Sequence, residues 1–157
     1  MGLIVMGVDP GLADLGWGIL HIEESKPSLV AYGANKTPPE DDDWSRAMAQ
    51  VAEVRRVVGE HSVHVIVVEE WDFFEKQTTT AAHALGLVIG GLISIPGIEV
   101  RKGGRSQDWR LGLGLPRTAT KTEVQQHVQR RLGMDKLPRP QHASDALAVA
   151  LANYSKL

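Results

Sequence analysis

Apolar positions along the chain fall into two kinds of run, short continuous ones and longer ones spaced at helical period. Leu3 to Asp9 is continuous and ends on an acid, and Pro10-Gly11 then breaks it, which predicts a buried strand followed by a turn. Gly16 to Ile22 and Leu29 to Thr37 predict two more strands around the polar turn Glu23-Glu24-Ser25-Lys26-Pro27, so the first three should form an antiparallel meander. After the Pro38-Pro39-Glu40-Asp41-Asp42-Asp43 loop, Trp44, Met48, Val51, Val54 and Val58 recur at helical spacing as far as Gly59. Val63 to Val68 is an uninterrupted, β-branched run, as expected of a central parallel strand covered on both faces.

An Ala- and Leu-rich helix from about Thr78 to Ser94 leads to a short fifth strand, Ile98 to Arg101. Gly86 and Gly90, four apart, predict close packing against another backbone of the same domain. Lys102 to Arg117 reads as a basic, Gly-rich connection. In Thr120 to Leu132 one apolar stripe runs through Val124, Val128 and Leu132, and a last helix covers about Gln141 to Tyr154. The order βββαβαβαα is that of an RNase H-like α/β fold, a five-stranded mixed sheet (a three-strand antiparallel meander plus parallel strands) flanked by helices. With 43% apolar residues, the 157-residue chain suits a single domain spanning 1–157.

The chain has no cysteine, which excludes a disulfide framework, a thiolate zinc site and a cysteine nucleophile. A bound metal would therefore rest on oxygen or histidine. No basic, cleavable leader opens the sequence, and the apolar stretch around residues 84 to 95 is too short to span a bilayer, so the expectation is a soluble, cytoplasmic protein. Residues 1 to 100 carry a net charge of −9 and residues 101 to 157 one of +7. This asymmetry suits an acidic metal centre beside a phosphate-binding surface, although a plain solvated surface would also produce it.

Acids end or open buried elements at three distant places: Asp9, the pair Glu69-Glu70, and Asp145. Phosphodiester cleavage by two cations roughly 3.5–4 Å apart needs such converging oxygen ligands, and a divalent ion would supply the counter-charge that buried carboxylates require. Each acid taken singly is better read as a local cap or ion pair; three at matched positions point to a metal site. His142 and Asp145, three apart, project from one face, and the reading places both in the first turn of the last helix, where the helix N-terminus would favour ionised Asp145. Histidine among hard oxygen ligands suggests a Mn²⁺ ligand or a proton shuttle.

The segments Gly7-Val8-Asp9-Pro10-Gly11, Val67-Val68-Glu69-Glu70, Lys121-Thr122-Glu123-Val124-Gln125 and Pro138-Arg139-Pro140-Gln141-His142-Ala143-Ser144-Asp145-Ala146-Leu147-Ala148 occur in this order. In that order they resemble the RuvC family of Holliday junction resolvases over nearly the whole chain, and the compact length suits cellular and phage-type members alike. The resemblance implies a homodimeric crossover junction endonuclease with Mg²⁺ or Mn²⁺, two per active site, that nicks opposed strands of a four-way DNA junction. It implies Asp9, Glu69, His142 and Asp145 as catalytic and metal-binding residues. Many members carry Asp where His142 stands. Adjacent strand residues face opposite ways, so only one of Glu69 and Glu70 can face Asp9. Aligning on the apolar run favours Glu69 and aligning on the distance to Phe73 favours Glu70; strand register is the harder of the two to shift, which selects Glu69.

Trp71, Phe73 and Phe74, three of the eight aromatic residues, lie with Lys76 just beyond these acids, where stacking on bases can contribute about 1–3 kcal/mol per base. The resemblance makes Phe73 the wedge at the junction centre and puts Lys121 near the scissile phosphate. Arg105, with Arg101, Lys102, Arg110 and Arg117, lies in a Gly-rich segment that suits tracking a phosphate backbone and plain solvation equally well. An actin- or Hsp70-like ATPase would also open on strand-Asp-x-Gly but needs a second such domain, so no nucleotide cofactor is expected. A non-catalytic junction-binding protein would lack one of the acids. Another nuclease of this fold, acting on flaps or RNA/DNA hybrids, is the remaining alternative.

Overall fold

The computed structural model describes residues 2–71 and 79–157. Its strands form one sheet in the order β3-β2-β1-β4-β5. β1 (Leu3–Asp9), β2 (Asp14–Glu23) and β3 (Lys26–Lys36) are the antiparallel meander, and β4 (Val65–Glu70) and β5 (Glu99–Arg105) add on in parallel beside β1. This is the expected RNase H-like arrangement. Around it lie α1 (Asp43–His61), α2 (Thr79–Ile93), α3 (Ser106–Gly112), α4 (Lys121–Arg131) and α5 (Gln141–Asn153), with a 3-10 turn after α5 (Tyr154–Lys156).

Alternation along the central strands decides which helix each residue meets. Met6, Val8, Ile66 and Val68 face α1 and α2, packing with Val54, Val57, Val88 and Leu92. Val5, Val65 and Val67 face the opposite layer, where α5 is backed by Val124 and Val128 of α4 and Trp109 of α3. α5 touches all five strands, and from Ala143 to Asn153 every residue but Asp145 is buried.

So close a seat needs small residues beneath the helix. A Cβ on Gly7 of β1 would overlap the Ala146 carbonyl, one on Gly16 of β2 the His142 carbonyl, and one on Gly18 would lie 2.6 Å from Leu147 Cδ2. Gly7 and Gly18 are register partners, and Gly16 lies opposite Asp9. The glycine floor therefore lets the start of α5 down beside the strand end that carries Asp9. At the far end of α5, the buried Asn153 amide donates to the Gly103 carbonyl at 2.9 Å and the Val149 carbonyl at 2.8 Å.

The turn after Asp9 is held from below. Gln50, fully buried on α1, donates through Nε2 to the Leu12 carbonyl at 2.9 Å, and Thr37 Oγ1 donates to the same oxygen at 2.6 Å. Asn35 Nδ2 donates to Gln50 Oε1 at 3.0 Å, which fixes the amide's orientation.

Two readings of the sequence need correction. The Gly-rich connection after residue 101 contains the rest of β5, to Arg105, and then α3. Its glycines suggest a loop, yet Gly103 lies in the strand because a Cβ there would press on Val149 and Val67. A seven-residue helix is also too short to show a clear helical period. Gly86 and Gly90, expected to pack, have nothing within 4 Å of a Cβ; Gly91 is the α2 glycine that packs, against Val51. No helix among the described residues is long and apolar enough to cross a membrane.

Candidate active site

β1 and β4 are paired as far as Val8 and Val68, so Asp9 and Glu69 come next, side by side at the C-terminal ends of neighbouring parallel strands. They share parity with Val5 and Val67 and so face α5. Asp9 is 5% exposed, and His142 Nδ1 lies 2.8 Å from its Oδ2. Glu69 Oε1 accepts a hydrogen bond from Trp109 Nε1 at 3.1 Å. Asp145 reaches the same place from α5.

The electrostatics show how closely these groups are confined. Burial first, and then the charge of Asp9, push the Glu69 carboxyl up to about 8. The same two causes push Asp145 up to about 6, against the opposing charges of Lys121, Arg110 and His142. His142 is raised, chiefly by its hydrogen bond to Asp9 and in spite of burial. The expected help from the helix N-terminus does not prevail at Asp145. The residue is fifth in α5, beyond a first turn that holds no acid, and burial beside Asp9 outweighs any helix-dipole effect.

Among the described residues no three His, Asp or Glu side chains are gathered around one point, and Asp9 is turned onto His142. The donor set nonetheless fits a divalent cation. Asp9, Glu69 and Asp145 are hard oxygen donors, and the latter two resist ionisation because of burial and Asp9, a cost that a dication would offset.

The same pKa shifts predict how the metal-free protein responds to pH. Glu69, Asp145 and His142 all hold protons more tightly folded than unfolded, so their contribution to stability falls as pH rises through the folded values. His127, held low by burial and by Arg131 and Arg130, runs the other way near neutrality, so a variant comparison isolates the site. In chelator, Glu69→Gln should raise Tm by several degrees at pH 8 and by much less at pH 5. An equal gain at both values would contradict a raised Glu69 pKa.

Glu70 stands apart from the cluster and pairs with Lys102 at 3.3 Å. Trp71, 45% exposed, borders a cavity of about 420 Å³ with Gly11, Leu12, Arg46 and Leu85. Phe73, Phe74 and Lys76 lie outside the described residues. Lys121 opens α4, whose start is closed by Thr120 and Glu123 in a reciprocal cap, and its charge reaches Asp145. Arg105 is bridged to Asp108 at 3.1 Å and Arg101 to Glu99 at 2.6 Å; exposed pairs of this kind are weak enough to exchange for phosphate. Arg110 is instead stacked on the Trp109 ring, 4.6 Å from its centroid. Trp109 is the site residue missed in the sequence, because it lies in the helix read as a loop.

Residues 5–153 match the family model for crossover junction endodeoxyribonuclease RuvC. The RuvC of Heliobacterium modesticaldum is 31% identical over 95% of this chain and 92% of its own length, and that of Prochlorococcus marinus is 31% identical over 97% and 96%. Among solved structures, Thermus thermophilus RuvC superposes with a TM-score of 0.84 at 31% identity, covering 98% of this chain and 96% of that one. A second T. thermophilus RuvC structure, in complex with a Holliday junction substrate, gives 0.83 at 29% over the same shares. The yeast mitochondrial resolvase Ydc2, 12% identical with a TM-score of 0.62, shares the fold. This chain belongs to the RuvC family of crossover junction endodeoxyribonucleases, which depend on divalent metal.

Proposed function

We propose that the chain resolves four-way DNA junctions as a homodimer, hydrolysing one phosphodiester in each of two opposed strands with the cluster of Asp9, Glu69, His142 and Asp145. The neighbouring strand ends of β1 and β4 that set Asp9 beside Glu69, with Asp145 of α5 near enough for the Asp9 charge to act on it, carry this reading, and family membership supports it. Those four residues would hold two Mg²⁺ or Mn²⁺ ions, which supply an activated water and stabilise the leaving oxygen.

The chain's own groups do the rest. Asp9 is fixed by its strand, by the braced turn behind it and by His142. His142, whose Nδ1 lies within hydrogen-bonding distance of Asp9, would hold and relay a proton at that atom. Lys121 and Arg110 bring positive charge to the Asp145 side, where the acids would otherwise repel a scissile phosphate. A homodimer is further supported by the exposed apolar side chains Trp44, Met48 and Ile93 on α1 and α2.

Labelled immobile four-way junction, flap and RNA/DNA hybrid, each incubated with Mg²⁺ or Mn²⁺, provide the test. Paired nicks at symmetric positions on the junction, with little product from the other two, are expected. Equal cleavage of the hybrid would replace this reading with that of a general nuclease of the same fold.

A further inference from the structure

Trp109 is 3% exposed and lies on α3, outside the four residues assigned above. Its indole N–H, a donor with no acceptor role, points at Glu69 Oε1 from 3.1 Å. The indole itself is held in place. The Arg110 guanidinium covers one face at 4.6 Å from the ring centroid, and Arg110 is tied down through Nε to the Ala119 carbonyl at 3.1 Å and Nη1 to the Ser106 carbonyl at 2.9 Å. The α3 layer thus presents Glu69 with one rigid hydrogen-bond donor.

A glutamate has three side-chain torsions, and holding it in one orientation costs entropy that a ligand must otherwise supply on binding. Asp9 needs less help because it is shorter and already paired with His142. Among the described residues Glu69 pairs with no cation; its other contact is Asp9, to which it hydrogen-bonds when protonated and which repels it when both are ionised. Without the indole, an ionised Glu69, the form that would hold a cation, would be driven to turn away from Asp9.

We infer that Trp109 is a positioning residue for the acidic cluster: its indole N–H holds the Glu69 carboxylate toward Asp9 and thereby sets the affinity of the site for divalent cations. The inference rests on the reading of Glu69 as a cation-holding acid. Hydrogen-bonding partners of metal ligands typically change metal affinity by about 10–100-fold when removed.

Trp109→Phe keeps an aromatic ring beneath Arg110 and deletes the N–H. Mn²⁺ titration of the full chain without DNA, read by loss of the free-ion EPR signal, should show affinity weakened about tenfold or more. Junction cleavage should recover toward wild type as Mn²⁺ is raised, because the lost function is uptake of the ion. Unchanged Mn²⁺ affinity in Trp109→Phe would overturn the inference. Should that variant lose stability or fail to fold, β-(3-benzothienyl)alanine at position 109, which keeps both fused rings and replaces the N–H by sulfur, decides the matter by the same titration: weakened binding sustains the inference and wild-type binding ends it. Glu69→Gln is titrated in parallel. If it binds Mn²⁺ as tightly as wild type, the assignment of Glu69 fails and the inference falls with it. If it binds weakly while both position-109 variants bind normally, only the role of Trp109 is lost.

Discussion

Asp9→Asn is expected to slow junction cleavage on the order of 10³-fold or more, equivalent to at least about 4 kcal/mol of transition-state stabilisation, with junction affinity kept or increased. The side chains are nearly the same size, so the buried corner of β1 is not repacked. What is lost is the negative charge and one of the two oxygens, at the residue that lies against His142 and whose charge acts on both Glu69 and Asp145. Binding should survive because it depends on the basic C-terminal third, and one fewer anion faces the phosphates. Single-turnover cleavage in Mg²⁺, paired with gel-shift titration in Ca²⁺, separates the two effects. Cleavage within tenfold of wild type would remove Asp9 from the chemistry.

Gly16→Ala should have the second largest effect, although the added methyl touches no acid. It would overlap the His142 carbonyl and crowd the Ala143 nitrogen at 2.7 Å, both backbone atoms that cannot rotate aside. Accommodating it requires either β2 or the start of α5 to shift. The stability cost should be about 1–3 kcal/mol, as for other overpacked cores. A displacement of ~1 Å at His142 and Asp145 is sufficient for a further loss of about 10² in rate. Gly59→Ala, at an α1 position with nothing within 4 Å of its Cβ, is the matched control and should leave cleavage unchanged. Chemical denaturation and single-turnover rates on both variants check the claim. Wild-type cleavage by Gly16→Ala would mean that the helix seat has slack.

Much of this is legible in the sequence. Continuous apolar runs specified β1 and β4, because strands buried on both faces leave no room for alternation. Parity places Asp9 and Glu69 on one face, while Glu70 pairs with Lys102. What stayed hidden has physical reasons. α3 is too short for a periodic signal and is flanked by glycines that suit a loop equally well. Trp109 could not be connected to Glu69, forty residues away, without the fold. The environment of Asp145 escapes a local rule about helix termini, because the residue lies in the second turn, where burial and Asp9 dominate. The roles of Gly7, Gly16 and Gly18 likewise depend on which helix lies over them.

The seat of α5 across all five strands also sets an order of events. During synthesis the meander, α1, β4 and α2 emerge first, and Asp9 and Glu69 can reach their places on neighbouring strands while residues 141–153 have yet to be made. At that stage the α5-facing side of the sheet is uncovered, and neither His142 nor Asp145 is available. On the proposed assignment of the cluster, the nuclease corner is incomplete until the helix that completes the core has docked, so that cleavage competence would arrive together with completion of the fold.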